Sequence, residues 1–306
     1  DDGPTRAENS GFTIECEAIF PYQMKKSDEG YFPKQFNTAS VFGFHRANPL
    51  TPADYTWYLP ENITVHAVKP DDESKDAYFV ATGTLAGGGI RVVSPTFFEN
   101  NKWNFAIRIR NEKYPYTYGL TGSTLAGFDV EFVGFNSDGY TTKNSFSVSS
   151  SITYNEGQGL LNYSKRLYAG AYKTNFTGST IFKSDVLITD VKYWQSYLDD
   201  ETIQYHSYNP DNIGTKTPFM SDNVNNKTPY VQITDYETLA MHWRFDTLTG
   251  SDSSGELTGF DFSSGSTENA SRNAWIGEVC GHKYPFKGQN FAPSSTKAID
   301  KRFIYS

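Results

Sequence analysis

The feature that most limits this chain is a two-residue alternation of apolar and polar side chains that recurs up to about residue 214. In Trp103-Asn104-Phe105-Ala106-Ile107-Arg108-Ile109-Arg110, the residues Trp103, Phe105, Ile107 and Ile109 share one face and Asn104, Arg108 and Arg110 the other. Phe128-Asp129-Val130-Glu131-Phe132 alternates likewise and runs into Asn136-Ser137-Asp138-Gly139, a turn signal. From Phe12 to Phe20 the even positions are apolar, which predicts a half-buried strand with Cys16 pointing inward. Gly83–Gly89 precedes the strand-like Ile90-Arg91-Val92-Val93 and reads as a hairpin connection, since no helix follows whose N-terminus would hold a phosphate. One helix is predicted, capped by Asp199 or Asp200, running to about His206 and ended by Asn209-Pro210. Strands apolar on one face bury it against a second sheet, so the expected fold is all-β, a two-layer β-sandwich. Composition agrees: 23 Phe, 21 Tyr and 5 Trp stand against 13 Leu and 3 Met, a strand-favouring balance.

Charge and cysteine exclude several classes. With 27 basic and 35 acidic residues the net charge is −8, so no global basic field gathers phosphates and no nucleic-acid partner is expected. No run approaches the roughly 18 apolar residues of a membrane-spanning helix, and no membrane partner is expected. The two cysteines, Cys16 and Cys280, allow one bridge at most. Cys280 with His282 falls short of a zinc ligand set, and no metal or cofactor is expected. Gly-x-Ser-x-Gly, His-Glu-x-x-His and phosphate-loop motifs are missing, and the five histidines (45, 66, 206, 242 and 282) are scattered singly.

At 215–230 two prolines, several Asn and few large aliphatics give linker chemistry. The expected organisation is a sandwich over residues 1–214, the linker, and a partial β-rich segment over 231–306 that restarts at Leu239–Asp246. Such a segment is small for a core of its own, so it is expected to belong to a further module of a longer chain or to an assembly interface that packs against a partner.

The succession Arg166–Gly178, Ser184–Trp194, Leu198–Ile203 with His206, and Asn209–Gly214 resembles the end of a laminin-G/concanavalin-A-like sandwich. Gly11–Glu15 and the strand opened by Trp103 resemble its first and middle strands, so the likeness covers roughly residues 8–214. It implies a jelly-roll arrangement. That sandwich combined with His242–Asp252 and Asp261–Ser266 resembles large virion structural proteins of tailed bacteriophages, particularly of marine phages. The resemblance implies a non-enzymatic virion module, in the tail or another exposed appendage, that assembles with other subunits as a homo-oligomer and touches host surface glycans.

Glycosidases on this fold carry Glu-x-Asp-x-x-Glu, because alternation sets both carboxylates on one sheet face. Glu15-Cys16-Glu17 and Asp129-Val130-Glu131 match in part, but the third position is Phe20 in one and Gly134 in the other. Asp129 and Glu131 are instead expected to pair across strands with Arg108 and Arg110 in an ordinary solvated arrangement. A glycan-active hydrolase and an extracellular lectin-like adhesion domain are the rival readings. Sugars are held by aromatic faces and short polar side chains, which makes Trp57, Tyr58, Tyr116, Asn136 and Asp138 the candidate ligand-binding residues, placed on loops. The Asn-x-Ser/Thr sequons, Asn62 among them, are discounted as chance matches.

Overall fold

The computed structural model describes residues 11–20, 38–46, 61–71, 74, 76–85, 87–96, 102–112, 127–163, 165–173, 180–181, 186–209, 239–245 and 261–263. Its strands are β1 (Phe12–Ile19), β2 (Thr38–Arg46), β3 (Asn62–Val68), β4 (Tyr78–Leu85), β5 (Gly88–Val93), β6 (Lys102–Asn111), β7 (Phe128–Asp138), β8 (Thr141–Ile152), β9 (Lys165–Ala169), β10 (Tyr172–Lys173), β11 (Thr180–Ile181), β12 (Leu187–Trp194) and β13 (Leu239–Arg244). Among the described residues two helices accompany them, α1 (Tyr154–Asn162) and α2 (Asp200–Tyr208). A six-stranded sheet runs β13-β12-β1-β6-β7-β8 and a five-stranded sheet runs β5-β4-β3-β2-β9, with antiparallel pairing throughout. The protein is an all-β sandwich.

The even face of β1, with Phe12, Ile14 and Cys16, meets Phe42, Phe44, Ile63 and Val65 of the second sheet in one core. Rings carry the contact between layers: Phe79 lies edge-on to Phe105 at 4.6 Å and to Trp103 at 5.0 Å. Each large apolar side chain removed from water in this way contributes about 1.5–3 kcal/mol. Cys16 is a free, fully buried thiol, as the alternation predicted. The Gly-rich stretch at 83–89 makes the β4–β5 hairpin, and Asp199 caps α2 by accepting from the Thr202 N–H at 2.8 Å.

Three expectations change. First, the odd face of β1 is not exposed: Thr13, Glu15 and Glu17 are buried. α2 lies across the outer face of the six-stranded sheet, and Leu198 and Ile203 join Ala106, Val133, Phe135, Trp194 and Leu239 in a second apolar cluster there. Second, the turn expected at 136–139 begins later. Asn136 and Ser137 remain in β7, and the chain reverses at Gly139 and Tyr140, with Gly139 at φ 56°. Third, α1 is a helix the alternation did not reveal; Thr153 and Glu156 close a capping box at its start.

Beyond the expected linker, Leu239–Arg244 pairs with β12, opposing His242 to Lys192 and Trp243 to Val191. Trp243 also bridges Asp261. This strand is therefore part of the sandwich's own sheet. The 215–230 linker lies outside the described residues.

Candidate functional site

The outer face of the six-stranded sheet is where the chemistry-bearing side chains gather, because strand register lines them up across neighbouring strands. Glu15 sits beside Lys192, and Lys192 beside His242; Glu17 sits between Asp190 and Asn104; Thr13 sits between Trp194 and Arg108, and Arg108 beside Glu131.

α2 closes over the first of these groups. Glu15 Oε1 accepts from Trp194 Nε1 at 2.7 Å and lies 2.8 Å from His206 Nδ1, while Oε2 accepts from Asn104 Nδ2 at 3.1 Å. Burial raises the Glu15 carboxyl, but the attraction and hydrogen bond of His206, with Lys192 and Asn104, hold it below its ordinary value. Facing a carboxylate that only accepts, His206 Nδ1 carries the proton of that bond. The His206 ring also stacks on Trp194, with centroids 5.5 Å apart.

Next to it, Asp190 is held by Lys192 Nζ at 2.9 Å and His242 Nε2 at 2.8 Å. Burial works against the charge of Asp190, yet these two partners draw its pKa down to about 2. Burial likewise disfavours the Lys192 ammonium, but Asp190, Glu15 and Glu17 outweigh it and raise that pKa. Glu17 accepts from Thr189 Oγ1 at 2.7 Å and pairs with Lys102 Nζ at 3.1 Å. The thiol of Cys16 is pushed well up by burial and by Asp190 and Glu17, which leaves it protonated and unreactive. Glu15 and His206 are 2% and 1% exposed at their side chains, so this group locks a helix to a sheet away from solvent.

The second group is open. Glu131 Oε2 accepts from Arg108 Nε at 2.6 Å and from Tyr197 Oη at 2.7 Å, and Oε1 pairs with Arg110 Nη2 at 2.8 Å. Arg108 also donates to Leu198 O at 2.9 Å and to the Asp200 carboxylate. Both guanidinium carbons lie over the Tyr197 ring, 4.7 and 4.8 Å from its centroid. Burial, together with the bond to Glu131, pushes the Tyr197 phenol well above its ordinary range, so it stays a donor. These residues, with Ser147 and Glu201, line a shallow depression of about 550 Å³.

The expected pairing of Arg108 and Arg110 with the 129/131 carboxylates is thus present but converges on Glu131, which is buried rather than solvated. Asp129 is half-buried and accepts from Ser151 Oγ at 2.9 Å.

Of the candidate ligand-binding residues, Trp57, Tyr58 and Tyr116 lie outside the described residues. Asn136 does not lie on a loop. It is 2% exposed in β7 and spends its amide on Lys102 O at 2.8 Å, a correction that follows from the longer strand. Asp138 is exposed at the end of β7 and bound to Lys143 Nζ at 2.9 Å, whose hydrogen bond and charge lower its pKa. The two are not brought to the depression. Tyr197 was not singled out from sequence, while Arg110 was read as a cross-strand ion-pair partner and Asp200 as a helix cap rather than as residues of a site. The sequon at Asn62 lies in β3, where the side chain is buried and accepts from the Thr84 N–H at 3.1 Å. Among the described residues no three His, Cys, Asp or Glu side chains converge as a metal site. No protein-family model matches the chain, and no curated protein matches it.

Proposed function

We propose that the chain is a non-enzymatic structural module of a virion, in the tail or another exposed appendage, built on a concanavalin-A-like jelly roll and assembling with other subunits. The observation that carries the non-enzymatic part is the state of the sheet-face carboxylates. A glycosidase sets two carboxyl groups around an accessible sugar. Here Glu15 and Glu17 are buried, Glu15 against His206 of α2, and both oxygens of Glu131 are held by Arg108, Arg110 and Tyr197. The virion setting is supported by the sequence resemblance of 8–214 together with 242–252 and 261–266. A role in touching host glycans is supported by the open depression, which offers the planar donors of Arg110, the Tyr197 ring and the acceptors of Asp200.

Incubated with a panel of polysaccharides, the purified chain is expected to release no reducing ends; hydrolysis that Glu131→Gln abolishes in a folded protein would overturn the reading. Mass spectrometry of purified phage particles is expected to find its peptides. On a glycan array, binding is expected to weaken with Arg110→Ala or Trp57→Ala, and a chain that binds no member loses the adhesive role while keeping the structural one.

A further inference from the structure

Each large sheet ends in two edge strands, and three of these four edges are guarded. β9 carries Lys165 and Arg166 within five residues, β5 carries the exposed Arg91 within six, and β13 ends at Arg244 and is bridged by Asp261. β8 is different. It has 12 residues, and the run Asn144–Ile152 contains no charge, proline or glycine. Among the described residues it pairs only with β7, and its outer row of backbone N–H and C=O groups points away from that sheet. Ser145, Ser147, Ser149 and Ser151 are exposed along it. Proteins blunt such edges with lysine, proline, bulges or short length. In β8 the single bulge and the single lysine lie together at the 137–143 end, where Asp138 holds Lys143.

We infer that the β8 edge is a self-association surface, on which two copies of this chain pair β8 antiparallel about a twofold axis near Ser147 and join their six-stranded sheets into one. The chemistry favours an identical partner. In that register Ser145 of each copy meets Ser149 of the other, so short hydroxyl side chains oppose one another with no like charges in contact. The Lys143 end of one copy reaches the end of the other where Asp129 accepts from Ser151, which sets opposite charges near each other at both ends. A twofold pairing consumes both free edges and stops at a dimer. The inference rests on the assembly half of the proposed function and uses neither the virion nor the glycan half.

Light scattering on the eluting full-length chain is expected to give a dimer. Ser147→Lys and Ser147→Glu each place like charges on the axis, so each alone should elute as a folded monomer, and an equal mixture of the two should recover the dimer. Amide exchange of residues 144–152 in the unaltered chain should slow as protein concentration rises, a readout that depends on no variant. A dimer that survives both substitutions, a mixture that stays monomeric, or exchange independent of concentration overturns the β8 pairing and leaves assembly through another surface standing. A monomeric unaltered chain overturns the self-assembly reading as well.

Discussion

Glu15 ties three elements together: its carboxylate accepts from Trp194 of β12, Asn104 of β6 and His206 of α2. Removing one member of a buried ion group leaves the rest unpaired in a poorly solvated place, which costs about 3–5 kcal/mol. Glu15→Ala is expected to lower the unfolding free energy by that order in urea titrations. Glu15→Gln, which still accepts from Trp194, should cost less, and equal losses would mean the charge is irrelevant. A second residue contributes to the acid response, alongside His66 and His242, whose pKa values burial also lowers. His45 stacks on Tyr168, and burial, followed by the charge of Arg166, lowers its pKa from 6.5 to about 4. Between those values the unfolded chain takes up a proton that the folded chain refuses, so stability falls as pH drops from about 6.5 to about 4. The stabilisation from Asp190, lowered from 3.8 to about 2, is present above the first value and lost below it, in a separate and more acidic step. His45→Phe keeps the stacked ring and should flatten the loss of stability in the upper window; an unchanged urea midpoint profile would exclude His45 as its source.

At the scale of elements, the two helices show what the sequence made legible and what it hid. α2 was readable because its cap, Asp199, and its stop, Asn209-Pro210, are local signals. Asp199→Ala is expected to cost about 1 kcal/mol, read from the thermal midpoint. α1 escaped because Gly157 and Gly159 interrupt its helical pattern, although Thr153 and Glu156 spelled a capping box. Gly157 is required by packing: a Cβ there would stand 2.1 Å from Phe128 Cδ2. In an exposed helix, Gly→Ala stabilises by about 1 kcal/mol; here Gly157→Ala is expected to destabilise, and a raised thermal midpoint would refute that packing. The same division runs through the strands. Alternation located β1, β6 and β7 correctly, since one face of each fills the sandwich core. It misjudged the opposite faces of β1 and β6, because nothing in a strand's own residues tells that a helix about 190 positions later will cover Glu15. Asn136 was misplaced for a related reason: an Asn before a glycine resembles a turn, yet pairing with Asn144 keeps it in the strand.

For the whole molecule, the position of β13 makes the C-terminal chain part of the sandwich's stability. Its His242 donates to Asp190, its backbone extends the sheet beyond β12, and Met241, Trp243 and Phe245 pack against the main core. Without that strand, the Asp190–Lys192 pair keeps its own 2.9 Å contact but loses His242 and the cover of Phe262, whose ring stands 6.2 Å from the His242 ring. β12 would then become a bare edge. A chain ending at residue 230 is therefore expected to unfold at lower urea than the full 306 residues and to aggregate more readily. If the segment from 231 onward only joined the sandwich to a further module, the two chains would unfold together. A gentler form of the same test keeps the chain whole: His242→Ala removes the donor to Asp190 while β13 can still pair. It should lower the urea midpoint by a fraction of what truncation removes, since the sheet hydrogen bonds and the apolar contacts of Trp243 remain.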